Sequence, residues 1–538
     1  MFEASVMSLR DASLPNHSQT RHTLGSLSRT PYLLHHLMTA NGAEPERIAV
    51  VDGKRTLTYG ALGQHASACA ARLKALDLRR GDRVAIVLPK SIDECWSIFG
   101  ISLAGGVFVP INPALKPLQI RHILKDSGAC FVLTNAALRE AVGESADVPT
   151  VIDIADITDS AVGVPTFDPT GEAGIGEDVA ALLYTSGSTG SPKGVMLNHR
   201  NLLAGTRIVR NYLGITAAER ILSVLPFSFD YGLNQLLTAI EQGATVVLCR
   251  FRFGDEITQA LSEHCITGLA GVPTIWAMLT RASPQLQRTP LPHLRYLTNS
   301  GGAVPTETVA RLQELLPRTQ IFLMYGLTEA FRSTYLPPDQ LQRRPGSIGK
   351  AIPECEVFAV TADGRRAKPG EPGILVHRGP TVSLGYWNRP GDTARVLRPN
   401  PFIPPGRGGE VVCYSGDLVV QDDDGFFWFV GRRDAMIKSS GYRISPTEVE
   451  EALMATGMFR QVAVIGLPDP IVGQAVHAVA VATKASVDVP AVLASAAQRL
   501  ADYMIPRTIE LIDALPTTPN GKVDYRRLVQ ERSDVAST

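Results

Sequence analysis

Residues 184–195 read Tyr-Thr-Ser-Gly-Ser-Thr-Gly-Ser-Pro-Lys-Gly-Val, with three glycines, five serine or threonine hydroxyls and one lysine in twelve positions. The apolar segment Val179–Leu183 precedes this stretch and indicates a buried strand. A polar residue, Asn198, follows it and predicts the start of a helix. Glycines let backbone N–H groups approach a polyphosphate, and hydroxyls and a cation add further contacts. The stretch is therefore predicted to be a phosphate-binding loop.

The surroundings of the stretch exclude two other interpretations. A flexible Ser/Gly linker would not be bracketed by a hydrophobic strand and a capped helix. The P-loop of nucleotide hydrolases requires Gly-Lys-Ser/Thr in succession. Here Lys193 lies between Pro192 and Gly194, so this is a different kind of phosphate loop.

Composition narrows the class of protein. A chain of 538 residues suggests two or more domains, and its 45% hydrophobic and 19% charged residues are typical of a globular protein. Basic and acidic residues number 52 each, which gives no electrostatic argument for nucleic acid or an anionic membrane. The seven cysteines are dispersed, which favours reduced thiols in the cytoplasm over a disulfide framework or a zinc site. No apolar run is long enough to predict a membrane span.

The stretch resembles the phosphate loop of the AMP-forming adenylating enzymes, which comprise acyl-CoA synthetases, adenylation domains of nonribosomal peptide synthetases and firefly luciferases. The resemblance runs from about Pro31 to Leu528 and is nearest to stand-alone ligases of bacterial biosynthetic clusters. It implies ATP and Mg²⁺ as cofactors, with CoA or phosphopantetheine as the thiol acceptor. It also implies that the ATP phosphates are contacted by Thr185, Ser186, Gly187, Ser188, Thr189, Gly190 and Lys193.

Helical and strand-like segments alternate from Pro31 onward, which predicts α/β layers. Ala49–Gly53 and Thr56–Tyr59 are typical of a hairpin, and a helix is predicted to follow through Ala75. Residues 340–430 are rich in glycine and proline between short strands and predict a β-rich subdomain. The predicted units are a disordered tail over 1–30, an N-terminal adenylate-forming domain of two parallel-type sheets with flanking helices over 31–433, and a small mobile α+β lid domain over 434–538.

The segment Met324-Tyr-Gly-Leu-Thr-Glu-Ala330 matches the family's Tyr-Gly-x-Thr-Glu. The resemblance implies that Tyr325 stacks on adenine, that Thr328 contacts phosphate and acts in catalysis, and that Glu329 holds Mg²⁺. A carboxylate oxygen is a ligand that this hard cation prefers. Taken alone, the segment also fits a core tyrosine beside a helix start. Further nucleotide contacts implied by the resemblance are Gly301, Gly302, Ala303 and Gly326.

Cys413-Tyr-Ser-Gly-Asp417 corresponds to the family's Tyr-x-Thr-Gly-Asp and differs from it at Cys413 and Ser415. The resemblance implies that the Asp417 carboxylate accepts hydrogen bonds from the ribose hydroxyls, with Arg432 as its neighbour at the ribose. A Gly-Asp turn by itself is common.

Three features of the C-terminal part carry the implied mechanism. Asp434 falls at the family's hinge, and Ser439–Ile444 resembles the segment that docks at the thiol channel after the lid rotates. Lys522, in a tight Asn-Gly-Lys turn, corresponds to the lysine that bridges the carboxylate and the α-phosphate while charge develops. A surface turn is the alternative interpretation for Ser439–Ile444 and for the turn that carries Lys522. The implied reaction forms an acyl-adenylate, releases pyrophosphate and then transfers the acyl group to a thiol.

The predicted substrate depends on Ser228-Phe229-Asp230. Amino-acid-activating domains share this sequence, whereas many acyl- and aryl-CoA ligases carry histidine at the position of Phe229. A buried ammonium group needs a carboxylate partner, so Asp230 is predicted to bind an α-ammonium; an aspartate in a polar turn is the alternative. The other predicted substrate contacts are Tyr231, Asn234, Ala270, Thr298, Ser300, Met324, Arg332 and Ser333.

The favoured prediction is a ligase that activates a small amino acid and loads it onto a separate carrier protein. Only 16 residues follow Lys522, too few for a carrier domain, so the acceptor is expected to be a separate chain or CoA. The alternative is an AMP-forming acyl-CoA ligase for a non-amino carboxylic acid. A nucleotide sensor without turnover also stays open, although the presence of Lys522, Glu329 and Asp417 argues against it. Luciferase-like oxygenation has no positive support in the sequence.

Overall fold

Strands and helices alternate through most of the chain, as its hydrophobic periodicity predicts. The computed structural model describes residues 30–143, 150–160, 174–185, 192–302, 304, 306–404, 409–432, 436–483, 486–516 and 523–535. The strands are β1 (Ile48–Asp52), β2 (Arg55–Thr58), β3 (Arg83–Val87), β4 (Val107–Pro110), β5 (Phe131–Thr134), β6 (Thr150–Asp153), β7 (Val179–Thr185), β8 (Lys193–Asn198), β9 (Arg220–Ser223), β10 (Thr245–Leu248), β11 (Gly268–Gly271), β12 (Tyr296–Asn299), β13 (Gln320–Leu327), β14 (Ala330–Leu336), β15 (Ser347–Ala351), β16 (Glu356–Val360), β17 (Gly373–Arg378), β18 (Leu397–Pro399), β19 (Val411–Gln421), β20 (Phe427–Arg432), β21 (Ile437–Ser439), β22 (Tyr442–Ile444), β23 (Phe459–Asp469), β24 (Gly473–Ala482) and β25 (Thr508–Leu511). The helices are α1 (Leu37–Ala40), α2 (Tyr59–Ala75), α3 (Ile92–Ala104), α4 (Pro117–Ser127), α5 (Arg139–Val142), α6 (Ile154–Ser160), α7 (His199–Leu213), α8 (Asp230–Glu241), α9 (Gly254–Glu263), α10 (Pro273–Ala282), α11 (Thr306–Leu315), α12 (Pro390–Val396), α13 (Pro446–Met454), α14 (Val489–Ala496) and α15 (Tyr525–Val535).

A six-stranded sheet positions the glycine-rich stretch. Its order is β6-β5-β3-β4-β7-β8, in which neighbours from β6 to β7 are parallel and β8 runs antiparallel to β7. The sequence predicted that the loop leads almost directly into a helix, but β8 intervenes and pairs Lys193 with Thr185. The predicted cap at Asn198 is confirmed, because its side chain accepts a hydrogen bond from the N–H of Asn201 at the start of α7. Lys193 is thus held on a strand at the edge of the site.

A second, larger sheet joins the rest of the N-terminal part. Its order is β16-β17-β19-β20-β15-β14-β13-β12-β11-β9-β10-β1-β2, with β18 paired to β19. From β13 through β12, β11, β9 and β10 to β1, adjacent strands pair in parallel. The pairs from β13 to β16 at one end of the sheet, and the pair of β1 with β2 at the other, are antiparallel. The predicted α/β class is confirmed. Residues 340–430, which were predicted to form a β-rich subdomain, are continuous with this sheet, because β15 pairs with β14 on one side and β20 on the other.

The main core includes the packed pair α2 and α3. Every residue of α3 is buried, including Trp96 and Phe99. Gly100 lets the two helices approach each other, because a Cβ there would lie 2.6 Å from the Cβ of Cys69. The predicted hairpin and the helix ending at Ala75 are confirmed by β1, β2 and α2.

The C-terminal residues form their own sheet, in the order β22-β21-β24-β23 with β25 paired to β24. Helices α13 and α14 cover this sheet through a separate hydrophobic cluster that includes Val449 and Val492. The predicted boundary at 433/434 lies outside the described residues, as does the predicted tail apart from Thr30, so both stay predictions. None of the helices that the structure describes is long and apolar enough to cross a membrane.

Candidate active site

A cleft of about 960 Å³ lies where the three sheets meet. Strands β7, β12 and β13 reach it with their carboxyl ends, the usual place for ligands in open α/β sheets. The C-terminal sheet that contains β21 to β25, called the lid sheet below, contributes the hairpin of β21 and β22. The predicted site residues that line the cleft are Thr185, Asp230, Ser300, Gly301, Gly302, Met324, Tyr325, Gly326, Thr328, Arg332 and Asp417.

One end of the cleft carries Tyr325 and Asp417, the predicted adenosine contacts. The Tyr325 hydroxyl donates a hydrogen bond to Oδ2 of Asp417. The Asp417 N–H donates to the hydroxyl of Ser415 at 3.0 Å, and that hydroxyl donates to the carbonyl of Leu375 at 2.8 Å. Serine therefore supplies the hydroxyl that the family's threonine would supply, and the carboxylate is fixed beside the tyrosine ring.

His377, on β17, was not predicted from the sequence. Its ring lies parallel to that of Tyr325, with centroids 6.2 Å apart and an angle of 16° between the planes. Burial lowers the pKa of His377 to about 4, so the imidazole is neutral near pH 7. Neither ring nitrogen has a hydrogen-bond partner among the described residues. A neutral imidazole thus lies alongside the ring that is predicted to stack on adenine.

Glu329 is buried next to Tyr386, whose hydroxyl donates to its Oε1 at 2.6 Å. Burial and this carboxylate raise the pKa of Tyr386 well above its usual range, so it stays a donor. The other carboxylate oxygen, Oε2, has no partner within the described residues. No cluster of three or more metal-ligating side chains exists in the described part of the chain. A single free carboxylate oxygen fits Mg²⁺ that takes its other ligands from substrate phosphates and water.

Lys193 is buried and bonded, although it lies at the edge of the phosphate stretch. Its Nζ is 3.0 Å from Oδ2 of Asp392 on α12, and it lies over the ring of Tyr386 at 5.4 Å. Asp392 and Tyr386 were not predicted from the sequence. Tyr386 contacts both charged groups: the cation of Lys193 lies over its ring, and the carboxylate of Glu329 accepts a hydrogen bond from its hydroxyl.

Asp230, the predicted ammonium partner, lies at the first turn of α8 opposite Arg332. The Nη1 of Arg332 is 3.8 Å from Oδ2 of Asp230, and its Nη2 donates to the Asp230 carbonyl at 3.3 Å. Both side chains are buried. Burial raises the pKa of Asp230, and the guanidinium opposes that rise. The charge of Asp230 is therefore already compensated within the protein.

A second, small cavity lies beyond this pair. It has a volume of about 20 Å³, and Met324 and Arg332 line both it and the large cleft. The predicted contacts Tyr231, Asn234, Ala270 and Thr298 line the small cavity. Ser333 lines neither cavity, and its hydroxyl donates to the carbonyl of Ala330 at 3.3 Å. The four predicted substrate contacts that line the small cavity thus surround little free space.

The hairpin of β21 and β22 enters the cleft from the C-terminal part. Gly441 sits at its turn with φ +82°, and a Cβ there would lie 2.9 Å from two side-chain carbons of Val272. The ring of Tyr442 stacks on Tyr503 with centroids 3.7 Å apart. On the other side, Gln119 of α4 donates to Glu448 of α13 at 3.2 Å. The segment predicted to dock at the thiol channel is therefore packed into the wall of the cleft.

Two family models match the chain. The model of the AMP-binding enzyme matches residues 38–387, and that of the AMP-binding enzyme C-terminal domain matches residues 448–522. The chain belongs to the AMP-binding enzyme family. It is an AMP-forming ligase, since its relatives in this family include named acyl-CoA synthetases.

Relatives of this AMP-binding enzyme include both kinds of ligase that the sequence left open. Feruloyl-CoA synthase from Amycolatopsis sp is 35% identical, over 89% of this chain and 94% of that protein. Bacitracin synthase 3 from Bacillus licheniformis is 30% identical, over 91% of this chain but 8% of that protein.

Two solved structures of one enzyme are similar to the chain. The o-succinylbenzoate CoA synthetase of Bacillus subtilis, as a double mutant bound to its product analogue, is 28% identical with a TM-score of 0.82, covering 92% of this chain and 98% of that one. The same synthetase in complex with its acyl-adenylate intermediate gives a TM-score of 0.67, with 28% identity over 91% and 97% of the two chains.

Several predicted contacts of this AMP-binding enzyme lie outside the described residues. In β20, Arg432 pairs in register with Asp417, so the backbones of these two predicted ribose contacts are neighbours. The predicted residues for which the structure gives no placement are Ser186, Gly187, Ser188, Thr189, Gly190, Ala303, Asp434 and Lys522. Their roles stay predictions.

Proposed function

We propose that this ligase converts a carboxylic acid without an α-ammonium group to its CoA thioester, by way of an acyl-adenylate. The observation that carries the proposal is the pair formed by Asp230 and Arg332. Because the guanidinium already compensates the buried carboxylate, an incoming ammonium would lie beside a buried arginine without a counter-ion of its own. An acyl-CoA ligase for a non-amino carboxylic acid is thus favoured over an enzyme that loads an amino acid.

The relatives support the same choice of acid and acceptor. Feruloyl-CoA synthase matches along nearly its whole length, whereas the bacitracin synthase match is confined to a small part of a much longer protein. A ligase of the first kind takes CoA as its acceptor. A separate carrier protein, which the sequence favoured as the thiol acceptor, therefore has less support than CoA.

The position of the C-terminal hairpin supports a thioester-forming arrangement. Gly441 packs against Val272, and the carbonyl of Gly441 lies 3.6 Å from where a Cβ of Gly301 would be. The o-succinylbenzoate CoA synthetase is more similar to this chain when it carries a product analogue than when it carries the acyl-adenylate, with TM-scores of 0.82 and 0.67. We assign the described arrangement to the second half-reaction.

In the first half-reaction the substrate carboxylate attacks the α-phosphorus of ATP, and pyrophosphate leaves. Glu329 would hold Mg²⁺, which neutralises phosphate charge when bound. Tyr386 keeps the Glu329 carboxylate oriented through its hydroxyl. Thr328 and the residues of the glycine-rich stretch would donate to phosphate oxygens, and Lys522 would bridge the reacting groups.

In the second half-reaction a thiol attacks the acyl carbon, and AMP leaves with the bonding electron pair. The lid rotation implied by the family would remove Lys522 and bring the hairpin with Gly441 to the cleft. Tyr325 and Asp417 retain the adenosine end throughout, because they belong to the large sheet rather than to the lid sheet.

The test is an assay of purified protein with ATP, Mg²⁺ and CoA over pairs of acids that differ only in an α-amino group. We expect AMP and an acyl-CoA to form in equal amounts from a des-amino acid, with little turnover of its amino partner. Pyrophosphate exchange that depends on the α-amino group, without acyl-CoA formation from any acid, would overturn the proposal.

A further inference from the structure

The small cavity beyond Met324 and Arg332 is large enough for one group the size of a water molecule. Its volume is about 20 Å³, and a single water needs roughly 10–15 Å³. A long alkyl chain does not fit there. Since Met324 and Arg332 also line the large cleft, the cavity lies next to the acyl site.

Three side chains of the cavity wall have unused hydrogen-bonding atoms. Among the described residues, Nδ2 of Asn234, Oε1 of Gln235 and Nε of Arg332 are buried without a partner. The Gln235 amide orientation is fixed, because its Nε2 donates to the carbonyl of Tyr231 at 3.1 Å. These three side chains therefore carry two free donors and one free acceptor.

Three of the four hydroxyls that line the cavity are already engaged, and the fourth belongs to Tyr296. Those of Tyr231 and Thr298 bond to each other at 2.5 Å, and that of Thr238 donates to the carbonyl of Asn234 at 2.7 Å. The free set of two donors and one acceptor is the complement of a hydroxyl group, which has one O–H and two acceptor lone pairs.

Charge restricts the occupant further. Arg332 is compensated by Asp230, so the walls of the cavity carry no net charge from this pair. A second carboxylate or an ammonium would be buried without a counter-ion, which is strongly unfavourable. A neutral hydroxyl meets both requirements.

We propose that the cavity is a subsite for a hydroxyl at the end of the acyl group farthest from its carboxylate. Asn234 and Arg332 donate hydrogen bonds to the hydroxyl oxygen, and Oε1 of Gln235 accepts a hydrogen bond from its O–H. This inference rests on the proposed function, in which the acid is converted to its CoA thioester. It adds the substrate class, a compact acid with a terminal hydroxyl, and three residues that determine specificity.

The experiment compares kcat/KM for acids that differ only in this hydroxyl. The pairs are 4-hydroxybenzoate with benzoate, 4-hydroxycinnamate with cinnamate, and ω-hydroxyalkanoates with alkanoates of equal length. For the pair of best-fitting length we expect the hydroxylated acid to be preferred at least about tenfold, because the unsubstituted acid leaves buried polar atoms unpaired. Equal values for the two members of every pair would overturn the subsite.

The variant Asn234→Leu removes one donor and fills the cavity, so we expect the preference to fall to about one. The matched control is Thr238→Val, which changes the same wall without removing a free donor and should keep the wild-type preference. A preference that is unchanged in Asn234→Leu would contradict the assignment.

Two further measurements keep the proposal testable if Asn234→Leu does not fold or if the proposed function fails. Acyl-sulfamoyl adenosines with and without the hydroxyl can be compared as inhibitors of the wild type, with tighter inhibition expected from the hydroxylated one. If only amino acids support pyrophosphate exchange, the tyrosine and phenylalanine pair replaces the acids. Failure of the proposed function then appears as the amino-group requirement, and failure of the subsite as equal use of the two amino acids.

Discussion

Arg332 is unusual in both backbone and side chain. Its φ of +80° lies in the left-handed region that residues with a Cβ seldom adopt. Its guanidinium is buried over the ring of Tyr231, 4.7 Å from the centroid. Strained, buried charges of this kind persist where the surrounding structure fixes them, often at ligand sites. The ion pair with Asp230 is therefore expected to matter for folding as well as for substrate choice.

The variant Asp230→Asn should leave the buried guanidinium without its partner. We expect the free energy of unfolding to fall by about 3 kcal/mol, measured by urea denaturation, and kcat/KM to fall for every acid alike. The double variant Asp230→Asn with Arg332→Gln should recover part of the stability, because neither charge then remains. A loss confined to an amino acid, with its des-amino analogue unaffected and stability unchanged, would instead make Asp230 an ammonium ligand.

Among the elements, the hairpin of β21 and β22 determines which half-reaction the cleft can support. At Gly441 a side chain would collide with Val272 and would also need a left-handed backbone. We expect Gly441→Ala to slow acyl transfer to CoA at least about tenfold, since docking is hindered by roughly 1–2 kcal/mol of backbone strain and by the clash. Pyrophosphate exchange should be retained.

The control for this variant is Gly457→Ala. Gly457 also has a positive φ, of +72°, but within the described part of the chain no atom beyond its two sequence neighbours lies within 4 Å of its Cβ position. It therefore reproduces the backbone strain in the same part of the chain without the collision. Equal slowing of acyl transfer in both variants would show that strain, rather than docking against Val272, is responsible.

Helix α13 makes the docking of the C-terminal part depend on pH, through Glu448 at its contact with α4. Burial raises the pKa of Glu448 from 4.5 to about 7, and Glu451 on the same helix acts in the same direction, while the bond from Gln119 of α4 lowers it. Lys116 lies across the interface but pairs with Asp502 at 2.9 Å. Because the docked carboxyl binds its proton more tightly than an exposed one, docking is strongest below pH 4.5 and weakens as the pH rises through about 7.

The variant Glu448→Gln should remove this pH dependence. We expect the ratio of acyl-transfer rates at pH 8 and pH 6 to rise by at least about threefold relative to the wild type, because the amide stays neutral at both. Single-turnover transfer from a supplied acyl-adenylate measures this step alone. Glu451→Gln removes only the contribution of Glu451 to the raised pKa of Glu448, so it should shift the pH dependence slightly rather than remove it. Identical ratios in wild type and Glu448→Gln would contradict the linkage.

Across the whole molecule, the family mechanism divides the two half-reactions between arrangements of the lid. Lys522→Ala should reduce adenylate formation by at least about 10²-fold, as the loss of one transition-state donor does elsewhere. Acyl transfer from a supplied acyl-adenylate should be reduced much less. Pyrophosphate exchange and single-turnover thioester formation measure the two steps, and equal losses in both would argue against the division. The opposite pattern is expected for Gly441→Ala.

The sequence predicted the parts of the molecule that local periodicity determines. The α/β class, the hairpin of β1 and β2 and the helix ending at Ala75 could be recognised because their apolar positions recur at regular spacings. Tyr325 and Asp417 were found through short motifs, and the structure brings them together by a hydrogen bond. Neighbouring positions with no motif of their own could not be found in this way.

The missed residues depend on contacts between distant segments. His377 reaches the site because β17 pairs with β19, which aligns it with Cys413 near Asp417. Asp392 approaches Lys193 across some two hundred positions of sequence, and Arg332 neutralises Asp230 across about a hundred. The amino-acid prediction treated Asp230 as unpaired because no local pattern reveals the partner of a buried charge.

The adjacency of Met324 and Tyr325 on β13 has a consequence for laboratory evolution of this enzyme. Asn234 on α8 lines the small cavity and not the large cleft, so libraries at this position can change the accepted acid while ATP use is preserved. Met324 lines both cavities and is bonded along the backbone to the residue whose ring is expected to stack on adenine. Selection for new acids through position 324 should therefore be accompanied by compensating changes on the nucleotide side, whereas selection through position 234 should not.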